Sequence, residues 1–167
     1  MLKKVFIALL LSSTVAFAQQ TQKPAPVFHQ ISNKQLVQSV YPEAAKVVKV
    51  NAYWYKVVNS NQKILGYALS SANYCKDVKG YNDVTPVMII TDKNYIIEKV
   101  ALLSNYETQS YVNKLERNGF FRSLVGKSIK NVSTDQLDGY TGATYTANAI
   151  TKNVEFLLKN GSRKLPR

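Results

Sequence analysis

Thiol and imidazole are almost missing from this chain. Cys75 is the single cysteine and His29 the single histidine among 167 residues. One cysteine cannot close an intramolecular disulfide, so the chain is not a disulfide-built scaffold. Structural zinc sites built on several cysteines are excluded on the same count, and histidine-based metal chemistry has little to draw on. A Ser-His-Asp or Cys-His catalytic arrangement would have to recruit His29. That residue lies in QQTQKPAPVFHQ, 19–30, a Gln-rich stretch with Pro24 and Pro26 that reads as an extended linker. Cys75 itself reads either as a small buried apolar group or as a thiol free to meet a partner.

Acid is scarce too. Ten Asp and Glu stand against 22 Lys and Arg, a formal net charge of +12. The basic residues are spread along the chain and do not run together, which speaks against a nucleic-acid partner. An anionic lipid surface or an acidic protein partner remains. The densest cluster, Arg163, Lys164 and Arg167, reads as a solvated basic tail, 161–167.

Long apolar runs are also lacking, except at the start. MLKKVFIALLLSSTVAFAQQ has basic Lys3 and Lys4, an apolar run from Val5 to Leu11, and Ala16-Phe17-Ala18 in a small-x-small pattern. This is the grammar of a secretory signal peptide, 1–18, cleaved after Ala18, and the run is too short to span a bilayer. An uncleaved N-terminal anchor is the alternative. No cysteine sits at the cleavage point, which argues against a lipoprotein. The expectation is an exported, periplasmic or otherwise extracytoplasmic protein. Losing Lys3 and Lys4 would lower the charge from +12 to +10.

What is present is a single domain, expected over 31–160. Ser32 or Asn33 caps a short helix carrying Leu36, Val37 and Val40, which ends before Pro42. VVKVNAYWYKVV is rich in β-branched and aromatic residues and reads as one strand. A turn at Asn59-Ser60-Asn61 leads to a second strand, KILGYALSS, completing a hairpin. After a loop containing Gly80 comes VTPVMIIT, apolar throughout, with Pro86 marking its edge or start. Asp92-Lys93-Asn94 turns the chain into a fourth strand, YIIEKVALLS. YVNKLERNGFF has helical spacing, and so does the last element from about Thr144 to Lys159, with Ala147, Ile150, Val154, Leu157 and Leu158 on one face. Asn160-Gly161 is its expected stop. One helix, four strands and two helices make an α+β fold with a mostly antiparallel sheet. N-x-S sequons occur at Asn131 and Asn160; without a glycosylating host they carry no weight.

One stretch does not read as plain architecture. DGYTGATYT, 138–146, packs an acid, two glycines, three threonines and two tyrosines immediately before the last helix. It can be a helix N-cap after a glycine turn. It can also be a place where an anion meets a hydroxyl, because the N–H groups and dipole of a helix start favour negative charge. Gly142 and Ala143 let another molecule approach the backbone, and Thr141, Thr144 and Thr146 offer hydroxyls.

Asp138, two residues, then Thr141-Gly142-Ala143-Thr144 reads D-x-x-[S/T]-G-A-T. This resembles the flavinylation motif of the FMN-binding domain family, which includes subunits of sodium-pumping NADH:quinone oxidoreductases and of Rnf electron-transport complexes. LVQSVYPEAAK, KILGYALSS, KGYNDVTPVMIITD, Glu107-Thr108 and LVGKSI are similar to family segments as well, so the resemblance spans roughly 35–158. Members often have Pro-Gly where Gln109-Ser110 stand, glycines where Asn82-Asp83 stand, and serine at the position of Thr141. The resemblance implies FMN held by a phosphoester to Thr144, installed from FAD by a flavin transferase that uses magnesium. It implies a role for Asp138 in orienting the motif or being read by the transferase, and polar contacts to flavin from Glu107 and Thr108. Thr141, Gly142, Ala143, Tyr145 and Thr146 belong to the same cofactor-binding set, with Tyr140, Tyr145 and Tyr81 as candidates to flank the ring. It implies electron transfer with an unidentified donor and acceptor, a membrane redox complex among the candidates. The alternatives are a non-covalent FMN binder and a flavin-free interaction module. A reductase activity stays open, whereas no nucleophile-base pair suggests a hydrolase.

Overall fold

Five strands form an antiparallel meander in which each strand pairs with its sequence neighbours. The computed structural model describes residues 33–132 and 145–166. The leader, the linker with His29, and the segment from Asp138 through Tyr140 to Thr144 lie outside the described residues, as does Arg167. Helix α1 (Asn33–Gln38) is followed by β1 (Lys46–Lys49), β2 (Trp54–Val58), β3 (Ile64–Ser70), β4 (Val87–Thr91) and β5 (Ile97–Leu102). Then come α2 (Gln109–Arg117), a 3-10 turn (Phe120–Arg122) and α3 (Tyr145–Arg163). The sheet order is β1-β2-β3-β4-β5, all neighbours antiparallel. The α+β expectation and the antiparallel sheet are what the structure has.

Side-chain alternation explains why β4 is buried along its whole length. Val87 and Ile89 face one core, with Trp54, Leu69 and the α3 residues Ile150, Val154 and Leu157. Met88 and Ile90 face the other, with Leu36 and Val37 of α1, Val57 and Ala68. A strand covered on both faces reads as a continuous apolar run, which is the VMIIT of the sequence. In β5 the pairing slips: Thr91 opposes Ile97 while Ile90 opposes Lys99. The extra residue, Glu98, is a bulge that brings Ile97 and Val100 to the same core. Pro86 stands directly before β4, at the start where its missing N–H does no harm.

Two expectations change. The single strand read through 47–58 is two strands, so the sheet has five and not four. The break is made by Asn51, whose Oδ1 accepts the N–H groups of Tyr53 at 3.0 Å and Trp54 at 3.1 Å. Such a side-chain turn reverses the chain without glycine or proline, and Asn51 alone among β-branched and aromatic neighbours is the one residue that announces it. The last helix does not stop at Asn160-Gly161 but runs on to Arg163. Gly161 is inside it because there is no room for a side chain: a Cβ there would lie 2.6 Å from Leu69 Cδ2. The basic end is also tied down, since Lys164 O accepts from Asn51 Nδ2 at 2.9 Å and Pro166 O from the Tyr95 hydroxyl at 2.5 Å.

Candidate functional site

Glu107 lies five residues beyond the end of β5 and is 1% exposed. A carboxylate taken out of water needs donors, and this one is supplied from two distant segments. From the loop before β4, Asn82 N–H donates to Oε1 at 2.9 Å, Asp83 N–H to the same oxygen at 3.4 Å, and Tyr81 N–H to Oε2 at 3.3 Å. From α3, the Thr146 hydroxyl donates to Oε2. The backbone of Glu107 is held as well: its N–H donates to Asn105 Oδ1 at 2.8 Å, and Asn105 Nδ2 donates to Leu103 O at 2.8 Å. Asn82 closes the loop from its other side, donating from Nδ2 to Tyr106 O at 2.7 Å.

Gly80 makes this approach possible. A Cβ on it would sit 2.7 Å from Glu107 Oε1 and 2.9 Å from Thr85 Cγ2. Only a residue without a side chain lets the loop wrap the carboxylate so closely. Gly80 N–H donates to Asp83 O at 2.7 Å, closing the loop on itself. Beside it, Thr85 is fully buried, and among the described residues its Oγ1 has no hydrogen-bond partner.

The first turn of α3 is therefore pinned at Thr146, which is 2% exposed. Two turns on, Asn153 pins the helix again. It accepts the Ser71 hydroxyl at 2.5 Å and donates to Ala149 O at 2.9 Å, while Val87 N–H donates to Ser71 Oγ at 2.9 Å. Two buried polar ties thus hold α3 to the loop and to the β3–β4 end of the sheet, in addition to its apolar face.

Of the residues singled out from the sequence, Glu107 and Thr146 are brought into direct contact. Tyr145 opens α3 and is 73% exposed, and Tyr81 on the loop is 74% exposed. Thr108 is exposed and precedes α2 in the N-cap position without a side-chain hydrogen bond. Asp138, Thr141, Gly142, Ala143 and Thr144 lie outside the described residues. Gly80, Asn82, Asn105 and Thr85 escaped the sequence reading as members of this cluster. No local signal marks them, because the burial of Glu107, which obliges the loop to supply N–H donors, appears only in the fold. Cys75 is half-buried, and burial pushes its thiol above the ordinary range. A separate cleft of about 440 Å³ lies along Glu98, Val100, Phe121 and Arg122 and shares none of the partners of Glu107.

The segment that contains this cluster can be compared with known families. Residues 80–159 match the model of the FMN-binding domain family. This segment is similar to FMN-binding domains. Its match starts at Gly80, the residue that wraps Glu107, and runs through most of α3, so it takes in the carboxylate, its loop donors and Thr146. FMN is the ligand that the family supports for this domain. No curated protein matches the chain.

Proposed function

We propose that this FMN-binding domain carries its flavin covalently, through a phosphoester to Thr144, and passes electrons outside the cytoplasm. The observation that carries the reading is the position of D-x-x-T-G-A-T, 138–144, which runs directly into a helix whose second residue, Thr146, is anchored to the buried Glu107. The chemistry of the neighbourhood suits FMN. A phosphate next to the start of a 19-residue helix benefits from the positive end of its dipole. The exposed rings of Tyr81 and Tyr145 suit a flat aromatic ligand.

In this reading the Thr144 hydroxyl becomes the bridging oxygen. Its proton is lost, and AMP leaves as a flavin transferase opens the pyrophosphate of FAD with its own magnesium. Gly142 and Ala143 give the transferase access to the backbone, and Asp138 orients the segment or is recognised. When bound, FMN supplies reversible electron exchange, while the protein supplies position and field. A tether has a clear use beyond the cytoplasm, where a lost flavin could not be replaced. The leader sequence supports export, and among the described residues no helix is long and apolar enough to cross a membrane. The excess of basic residues favours a phosphate-bearing cofactor and acidic redox partners. The donor and acceptor are a membrane redox complex or soluble carriers.

The test is an intact mass under denaturing conditions, after export from cells that contain a flavin transferase. One added FMN, absent from Thr144→Ala, is the expected result. An unmodified mass, with a control protein flavinylated in the same cells, sinks the covalent linkage. Yellow protein that loses its flavin on denaturation would instead mark a non-covalent binder.

A further inference from the structure

Most tyrosine rings in the described structure are spoken for. Tyr53, Tyr67, Tyr95 and Tyr111 pack against the main core, Tyr41 packs against the second, and Tyr74 stacks on Phe156. Tyr81 and Tyr145 stand apart, each about three-quarters exposed at 74% and 73%. They lie on elements 64 residues apart in sequence that meet at one atom. Glu107 Oε2 accepts the N–H of Tyr81, and it accepts the hydroxyl of Thr146, the neighbour of Tyr145. Two large rings left in water at a junction this well built are unused contact surface for a flat aromatic ligand.

We infer that Tyr81 and Tyr145 are a pair of ring contacts for the flavin, and that Glu107 is the positioning residue that sets them, through the Tyr81 N–H and the Thr146 hydroxyl. This rests on the proposed reading of the domain as a flavin carrier, and it adds which side chains meet the ring and what holds them. Glu107 touches no ligand in this arrangement, since its oxygens are taken by Asn82, Asp83, Tyr81 and Thr146. Its effect passes through the loop and the helix. Gly80 belongs to the same device, because any side chain there would push the carboxylate off its donors.

A phenol in contact with an excited flavin quenches its emission by electron donation, so flavin fluorescence reads the contact directly. The protein is taken as exported and flavinylated, with loading checked by mass, and emission per bound flavin is compared between native and unfolded samples. Wild type is expected to be strongly quenched when native. Tyr81→Leu and Tyr145→Leu, both surface changes, are expected to raise native emission several-fold with an unchanged melting curve. Thr146→Val, which keeps the shape but deletes the hydroxyl, should raise it in the same direction, and Thr146→Ser should restore quenching. Native emission equal to the unfolded value, or unmoved by both tyrosine changes, overturns the ring contacts. Emission that responds to the tyrosines but not to Thr146→Val overturns the role of Glu107. If wild type carries no added mass, the covalent reading fails separately, and free FMN titrated into the unmodified protein serves as the probe. Quenching of that FMN, lost in the tyrosine variants, then supports the pair, and an absence of quenching overturns it.

Discussion

The indole of Trp54 donates from Nε1 to the carbonyl of Gly161 at 3.0 Å, joining the buried start of β2 to the last turns of α3. That contact brings the helix so near the sheet that a Cβ on Gly161 would meet Leu69 Cδ2 at 2.6 Å and Trp54 Cζ2 at 3.6 Å. Gly161→Ala removes a helix-weakening residue, a gain of roughly 1 kcal/mol in an open helix. Here overpacking of a closed core costs about 1–3 kcal/mol. A net loss of stability is expected in urea unfolding. Shortening the obstacle in the double variant with Leu69→Ala should relieve part of it, and strict additivity of the two changes would argue against the clash.

Glu107 and Thr146 should be coupled energetically. Removing the carboxylate in Glu107→Ala leaves buried N–H groups without their acceptor and is expected to cost about 3 kcal/mol. Thr146→Val should cost about 2 kcal/mol, the range for one hydrogen bond to a charged group, and Thr146→Ser well under half of that. A double-mutant cycle of Glu107→Ala with Thr146→Val is the check, and a coupling energy near zero would refute the tie.

Gly80→Ala is expected to destabilise by about 1–3 kcal/mol, because the new methyl would be driven onto the Glu107 carboxyl. The comparison that isolates the cause is Gly80→Ala in a Glu107→Ala background. Most of the penalty should vanish there, and a penalty of the same size in both backgrounds would point to the backbone.

Alkaline pH should loosen the side of the sheet that carries α1. Burial, then the negative charges of Glu98 and Asp92, push the Tyr41 phenol from 10.0 up to about 12. Its hydroxyl donates to Thr91 O at 3.0 Å, a bond the ionised form cannot make. With the folded value above the unfolded one, this contribution is fully present below pH 10 and is lost as pH rises towards about 12. Melting temperatures measured from pH 8 to 11.5 should fall more steeply for wild type than for Tyr41→Phe. Parallel curves would remove Tyr41 as the cause.

Much of this protein is readable in one dimension. β-Branched and aromatic runs mark the strands and the 3.6-residue rhythm of Ala147, Ile150, Val154 and Leu157 marks α3, because each is a local pattern that physics reads locally, while D-x-x-T-G-A-T carries the resemblance to a family. Asn51 shows the limit of that reading, since a turn made by one side chain looks like strand until the N–H groups that donate to it are seen. Gly161 shows it again: the same Asn-Gly that ends a helix elsewhere continues this one, and the reason is the Trp54–Leu69 surface far upstream, with Trp54 107 residues away. The sequence by itself determined the α+β class, the apolar faces and the candidate attachment threonine. Only the tertiary structure decided that Glu107 is a buried junction, because the donors that make its burial tolerable come from residues 24 to 39 positions away. Periodicity encodes which face is apolar, but the donors that satisfy a buried charge depend on which segments the fold brings together.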